Sequence, residues 1–317
     1  MTESSDNLKD LYSAIKTISN YFEGGNNGQL TVNKKYADLI DKYCDYGDKS
    51  EKGNCNNEHF KIISSGVINL LDNLKKYKLE DDKLADYAIL WLSYILNLYL
   101  KDKLTNLSEF YTNYIEKNKC YNEKINGDGS TYKEIIDKKK DLMDMNISEI
   151  FKLEAPFNIL YYLYHQIYDQ TSFCSEYSKY ATKFSDQFKE LNNDSNNIED
   201  SSFSQILSTL LNDHNNLINK YCKESCSFSS ISQLPPKKKP VEGSAKGGEQ
   251  TSLPILEATP SSSSTLNTVI PILSTFAIPV FLGVAYKYSL FGFDKLFQRQ
   301  YIRNKLKKIK NKMELNI

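Results

Sequence analysis

The chain has few of the residues and none of the short motifs on which most enzyme sites are built. Its 317 residues include only three histidines, and they contain no Gly-x-Ser-x-Gly, His-Glu-x-x-His, Walker or glycine-rich phosphate-loop pattern. Sustained two-residue alternation of polar and apolar residues is also missing, which argues against a fold built on β-sheets. We therefore expect a helical protein that is not an enzyme and that binds no cofactor.

The chain also lacks a net charge, because 40 basic residues balance 40 acidic ones. The balance is uneven along the chain: residues 287–317 hold nine Lys or Arg against two acids, so the rest of the chain carries an equal excess of acids. An acidic body and a basic tail give no reason to expect a nucleic-acid partner.

Proline is nearly absent from the first three quarters of the chain. Of the eight prolines only Pro156 precedes residue 235, and the others fall between residues 235 and 279. This change in composition predicts a domain over residues 1–230 and a disordered Pro/Ser/Lys-rich stalk over residues 231–267. No internal repeat is evident.

One long apolar run follows the stalk. Residues 269–286, VIPILSTFAIPVFLGVAY, carry no charge and lead directly into the basic tail. A membrane span needs about 20 such residues, so we expect a transmembrane helix over residues 268–286. A buried core helix is the alternative, but a stalk on one side and lysines on the other leave nothing to bury it.

The flanking charges predict the orientation of this span. Lysines beside a span favour the cytoplasmic side, so residues 287–317 are expected in the cytoplasm and the N-terminal body on the other face. The tail also reads as a basic amphipathic helix that could lie on anionic lipid. The first residues, MTESSDNLKD, do not resemble a secretory signal, so the later span is expected to direct insertion.

The body shows repeated helical periodicity, with apolar residues three or four positions apart. The stripes predict helices over residues 8–22, 32–43, 60–74, 84–100, 107–115 and 174–191, and a last helix over residues 203–221. Thr131 and Glu134 form a capping box for a further helix, and Pro156 suits the first turn of another. The body is therefore predicted to be an all-α, multi-helix domain.

All six cysteines precede the apolar run, and an even number on one side of a span is typical of disulfides. The candidates are Cys44, Cys55, Cys120, Cys174, Cys222 and Cys226. The segment CDYGDKSEKGNC, residues 44–55, reads as a loop that a disulfide could close. Two alternatives stay open: six reduced thiols in a cytosolic protein, and a zinc site of Cys222, Cys226 and His214, which lacks a second cysteine pair nearby.

Three stretches resemble the Plasmodium interspersed repeat (PIR) superfamily of malaria parasites. They are YAILWLSYILN (87–97), FSQILSTLLNDHNNL (203–217) and YKYSLFGFDKLFQRQYIRNKLKKIKNKM (286–313), and the whole layout of the chain is similar as well. The resemblance implies a variant antigen of the infected erythrocyte, with roles in immune evasion and host-cell interaction and with no catalytic residues. Many members carry a cysteine near the N-terminus, whereas here the first is Cys44.

We therefore expect a single-span antigen of the infected host erythrocyte or parasite surface membranes, whose stalk holds a helical ectodomain outside. A host receptor or antibodies are the expected partners. The polar loops 45–58, 118–130 and 192–202 are the expected contact regions, because exposed loops tolerate change. The alternative is an intracellular membrane-anchored trafficking or scaffold protein with its helical body in the cytosol.

Overall fold

The computed structural model describes residues 5–24, 30–47, 52–100, 104–125, 127, 129–166 and 170–221, together with positions 231 and 236. The predicted stalk, span and tail lie outside these residues apart from those two positions. The chain divides into two compact units, Met1–Pro240 and Val241–Ile317, and the described residues all belong to the first.

The described part is a helical domain, as the periodicity predicts, and it also contains one small hairpin that the periodicity does not predict. Its α-helices are α1 Ser5–Ser19, α2 Ala37–Asp41, α3 His59–Leu74, α4 Asp81–Leu100, α5 Leu107–Phe110, α6 Tyr132–Asp137, α7 Ile147–Gln166, α8 Gln170–Asn192 and α9 Ser202–Tyr221. Strands β1 Phe22–Gly24 and β2 Leu30–Val32 pair antiparallel. Short 3-10 turns cover Lys34–Tyr36, Lys75–Tyr77, Lys119–Asn122 and Lys140–Leu142, and a π-helix covers Tyr111–Ile115.

Two predicted helices differ from the structure. Residues 32–43 form the end of the hairpin, a 3-10 turn and the short helix α2, and Phe22 pairs with Val32 in the hairpin. Of the apolar residues at helical spacing here, only Tyr43 is buried and Leu39 is exposed, so this spacing does not mark the buried face of a helix. Helix α7 begins nine residues before Pro156, because the Asn146 side chain accepts from the Ser148 N–H and caps it (2.9 Å).

Helix α7 lies centrally and packs against α1, α4, α8 and α9. Its neighbour α4 packs in turn against α3, α6 and α9, so one core joins most of the helices. The charge-free segment of α4 is accordingly buried, as its length predicts for a core helix. The largest fully buried side chains are Trp91, Tyr12, Tyr87, Tyr121, Tyr177, Phe110, Lys139, Phe157, Phe184, Phe188 and Phe203.

The buried residue Asp213 connects four of these helices through its carboxylate and its backbone carbonyl. The Tyr12 hydroxyl of α1 donates to Asp213 Oδ2 of α9 (2.8 Å), and the Tyr87 hydroxyl of α4 donates to the same carboxylate (2.9 Å). From α7 the Tyr164 hydroxyl donates to the Asp213 carbonyl (2.8 Å). Burial and the Asp213 charge raise the pKa of Tyr12 well above its ordinary value, so this hydroxyl stays a donor.

A second buried polar contact joins α4 to the turn after α6. The Lys139 side chain is fully buried and its ammonium lies 2.8 Å from Asp86 Oδ1, which is also buried. The Lys139 ammonium also donates to Gln205 Oε1 of α9. A buried pair of this kind costs desolvation energy that its hydrogen bonds must offset, and removal of either partner takes away the closest opposite charge of the other.

The close approach of α3 to α4 depends on Gly66. A Cβ atom at this position would lie 2.7 Å from ring carbons of both Phe22 and Trp91. The two rings meet edge to face with centroids 5.5 Å apart, and the Trp91 indole N–H donates to Ser19 Oγ (3.1 Å). Helix α3 therefore carries glycine where helix propensity alone favours alanine.

We predict that Gly66→Ala destabilises the domain. Alanine normally stabilises a helix interior by about 1 kcal/mol relative to glycine, but overpacking a filled core costs about 1–3 kcal/mol. We expect a net loss of about 1–2 kcal/mol in the free energy of unfolding, measured by urea denaturation with Trp91 fluorescence.

The matched test is Phe22→Leu, which removes the Phe22 ring carbon that lies 2.7 Å from the added Cβ and leaves the Trp91 ring in place. The loss in the double variant should be clearly smaller than the sum of the two single losses. A stabilised Gly66→Ala variant, or strictly additive losses, would contradict the close contact.

Candidate functional site

The segment that follows α2 is closed by a disulfide. Cys44 and Cys55 are bonded, with their Cα atoms 5.3 Å apart, and both residues are buried. The Gly53 N–H donates to the Cys44 carbonyl (2.8 Å), which closes the same loop through the backbone. Gly53, Asn56 and Asn57 have positive φ angles, so the chain turns sharply before α3. The expected loop disulfide is confirmed.

The Asn118 side chain fastens this loop to a second one. Its Nδ2 donates to the Tyr43 carbonyl (2.8 Å), and its Oδ1 accepts from the backbone N–H groups of Asp45 (3.2 Å) and Cys120 (3.2 Å). Asn118 is fully buried. One amide therefore satisfies three backbone groups on two segments that are more than 70 residues apart in the sequence.

Two further contacts join the same segments. The Lys119 N–H donates to the Asp45 carbonyl (2.7 Å), and the Lys52 ammonium lies 3.1 Å from Glu123 Oε1. The ion pair is more than half exposed on both sides, so it contributes at most about 1 kcal/mol. The backbone hydrogen bond and the buried Asn118 side chain therefore carry the attachment. We call residues 45–47, 52–58 and 118–125 the paired-loop surface.

The π-helix Tyr111–Ile115 contacts the first loop of this surface. The Tyr114 carbonyl lies in the last turn of this helix, where carbonyls need partners outside the helix, and it accepts from the Tyr46 hydroxyl (3.0 Å) and from Ser64 Oγ of α3 (2.7 Å). The Lys61 ammonium lies 4.8 Å from the centre of the Tyr46 ring and 2.9 Å from Glu58 Oε1. The base of the first loop is thus held on helical structure.

The third expected contact loop, residues 192–202, lies against other elements. The Lys152 ammonium of α7 contacts Asp194 Oδ2 (3.1 Å), and the Ser202 N–H donates to Asp141 Oδ2 (2.9 Å). The structure therefore brings two of the three predicted loops together and sets the third near the start of α7 and the turn after α6.

The other candidate cysteines are in different states. Cys120, a disulfide candidate from the sequence, is an unpaired and buried thiol in this structure, whereas Cys44 and Cys55 bond each other. Burial raises the pKa of Cys120 to about 11. Cys174 is disulfide-bonded, whereas Cys222 and Cys226 lie outside the described residues.

The one histidine considered as a metal ligand lies inside the core. His214 Nε2 is 2.5 Å from the Tyr177 hydroxyl, and its ring stacks on Phe184 with centroids 4.2 Å apart. Burial lowers the pKa of His214 to about 4, so the ring is neutral near pH 7. Within the described residues no group of His, Cys, Asp and Glu is placed to hold a metal ion. This geometry gives His214 a packing role.

We predict that Asn118→Ala loosens both loops together. The change leaves three backbone groups without their partner, and we expect a loss of about 2–4 kcal/mol in the free energy of unfolding. Hydrogen exchange read by mass spectrometry should become faster in residues 45–47 and in residues 119–125 alike. Asn122→Ala, at an exposed position of the same turn, is the matched control and should change stability by less than about 0.5 kcal/mol. Faster exchange in only one loop would contradict the attachment.

Comparisons with known proteins agree with this architecture. The family model described as "Plasmodium variant antigen protein Cir/Yir/Bir" matches residues 12–287. A solved structure, "Structure of a Plasmodium PIR protein ectodomain", is similar with 30% sequence identity and a TM-score of 0.55, over 75% of this chain and 100% of that chain. No curated protein matches the chain. Because the family match extends over most of the chain, including every helix from α2 to α9, the chain belongs to the Cir/Yir/Bir family of Plasmodium variant antigen proteins.

Proposed function

We propose that this variant antigen displays its helical domain at the surface of the infected erythrocyte or of the parasite and thereby serves immune evasion. Residues 268–286 anchor the chain, residues 231–267 form the stalk, and residues 287–317 lie in the cytoplasm. The charge-free run followed by nine basic residues supports this topology. None of the helices in the described ranges combines the length and apolar character of a membrane span, so the anchor is argued from the sequence of residues beyond those ranges.

The paired-loop surface is the contact surface in this proposal. Its attachment uses the buried disulfide, the buried Asn118 amide and backbone hydrogen bonds. Its outward side chains are exposed: Lys52, Lys119 and Glu123 have exposed side-chain fractions of 61%, 65% and 52%. Substitutions at such exposed positions usually change stability by less than about 0.5 kcal/mol. The groups that hold the loops in place are therefore different from the exposed side chains. This supports the proposal that the surface residues can vary while the loops are presented to antibodies or a host receptor.

The alternative, a scaffold on an intracellular membrane with a cytosolic body, is disfavoured by the cysteines. Disulfides are rare in the reducing cytosol, and Cys44, Cys55 and Cys174 are all disulfide-bonded. An oxidising location for the body accords with the charge of the tail. In the displayed orientation the tail would contact the anionic cytoplasmic leaflet, with about 1 kcal/mol for each basic residue near the surface.

We predict that antibodies to residues 1–230 label intact infected cells, whereas a tag after Ile317 is labelled only after permeabilisation. The matched control places the same tag before Met1, where it should be accessible on intact cells. Labelling of the body only after the cells are opened would overturn the displayed topology and favour the scaffold.

A further inference from the structure

The paired-loop surface covers a thiol as well as a disulfide. Cys120 is 2% exposed and unpaired, and it lies in the same 3-10 turn as Lys119, which bonds Asp45. Asp45 directly follows Cys44. A thiol and a disulfide are therefore buried under one set of loops.

The hydrogen bonds of Asn118 limit how far apart these groups can be. The Asp45 and Cys120 nitrogens each lie 3.2 Å from the same Oδ1 atom, so they are at most 6.4 Å apart, twice that distance. The Cys44 Cα is about 2.4 Å from the Asp45 nitrogen, and the Cys120 Cα is about 1.5 Å from its own. The two Cα atoms are thus no more than about 10 Å apart, and disulfides need about 4.4–6.8 Å.

We propose that Cys120 is an alternative disulfide partner of Cys44, so that the paired-loop surface has two disulfide isomers. The Cys120 thiolate attacks Cys44 Sγ, a Cys44–Cys120 bond forms, the Cys44–Cys55 bond breaks, and Cys55 leaves as a thiolate that takes up the proton lost by Cys120. One disulfide and one thiol are present before and after, so no external oxidant or reductant is consumed. The biological role of this exchange rests on the proposed function of the surface.

The closed surface restrains the exchange. Only a thiolate attacks a disulfide, and burial keeps Cys120 protonated, with a pKa raised to about 11. Of the facing charges, Glu123 and Asp45 also raise the pKa of Cys120, whereas Lys52 lowers it. Opening of the two loops exposes the thiol to water and lets Cys44 and Cys120 approach to disulfide distance.

The second isomer presents a different face. Release of Cys55 removes the covalent closure of residues 44–55 and frees Asn54, Asn56 and Asn57, which are exposed in the closed loop. The new bond instead closes residues 44–120. One sequence would therefore display two contact surfaces that a partner can distinguish.

The test is a disulfide map of the full-length oxidised chain. The protein is held at about pH 8.5, where thiolates form more readily, in urea below the unfolding midpoint and without added thiol or oxidant. It is then quenched with acid, alkylated with N-ethylmaleimide and digested without reduction. We expect a Cys44–Cys120 peptide pair together with alkylated Cys55, whereas the linkage of Cys174 stays unchanged.

Two variants make the result specific. Cys120→Ser should keep the Cys44–Cys55 bond alone, and Asn118→Ala should make the exchange about tenfold faster, because it weakens loop closure. Recovery of Cys44–Cys55 with alkylated Cys120 throughout, or pairing of Cys120 with Cys222 or Cys226 at the same rate, would overturn the proposal. The disulfide map does not depend on display at the cell surface. Absence of the Cys44–Cys120 pair would therefore not affect the labelling result, and a negative labelling result would not affect the map.

Discussion

The buried carboxylate of Asp213 is the constraint on which the helical domain depends. It is 3% exposed and accepts hydroxyl donors from α1 and α4, and its own backbone carbonyl accepts one from α7. Burial of a carboxylate is costly unless it accepts hydrogen bonds. The helices that supply the donors must therefore pack in the one arrangement that brings their hydroxyl groups to it. Apolar packing supplies most of the free energy of folding, whereas this polar centre selects which helices meet.

The paired-loop surface also depends on a buried polar side chain whose hydrogen bonds join separate segments of the chain. Its exposed ion pair between Lys52 and Glu123 contributes little, whereas the buried Asn118 side chain satisfies three backbone groups. The two loops are thus held mainly by backbone amides and carbonyls, which do not depend on the side chains present. One amide side chain and one disulfide complete the attachment. An antigen organised in this way can change its outward residues while its loops keep their places.

Much of the fold could be predicted from the sequence, and the site could be predicted only in part. Helices α3, α4, α8 and α9 have long apolar stripes, and the capping box of Thr131 and Glu134 is present as predicted. The hairpin was missed because its strands are three residues long, too short for a period of two. Asn118 was missed because its partners lie 73 and 75 residues away in the sequence, and no local pattern reports such a contact. Asn146 offered a signal, a cap with Glu149 three residues later, that could have placed the start of α7.

If the paired-loop surface is a single contact site, one partner must contact both of its loops. The measurement is the binding of single monoclonal antibodies from an immune host to surface variants of the folded protein. We predict that one antibody loses affinity both for Asn57→Gly in the first loop, which keeps the positive φ angle there, and for Glu123→Ala in the second, and that it still binds Glu199→Ala in the third loop. Antibodies that each depend on one loop alone, or that depend mainly on residues 192–202, would contradict the paired-loop surface as the contact site.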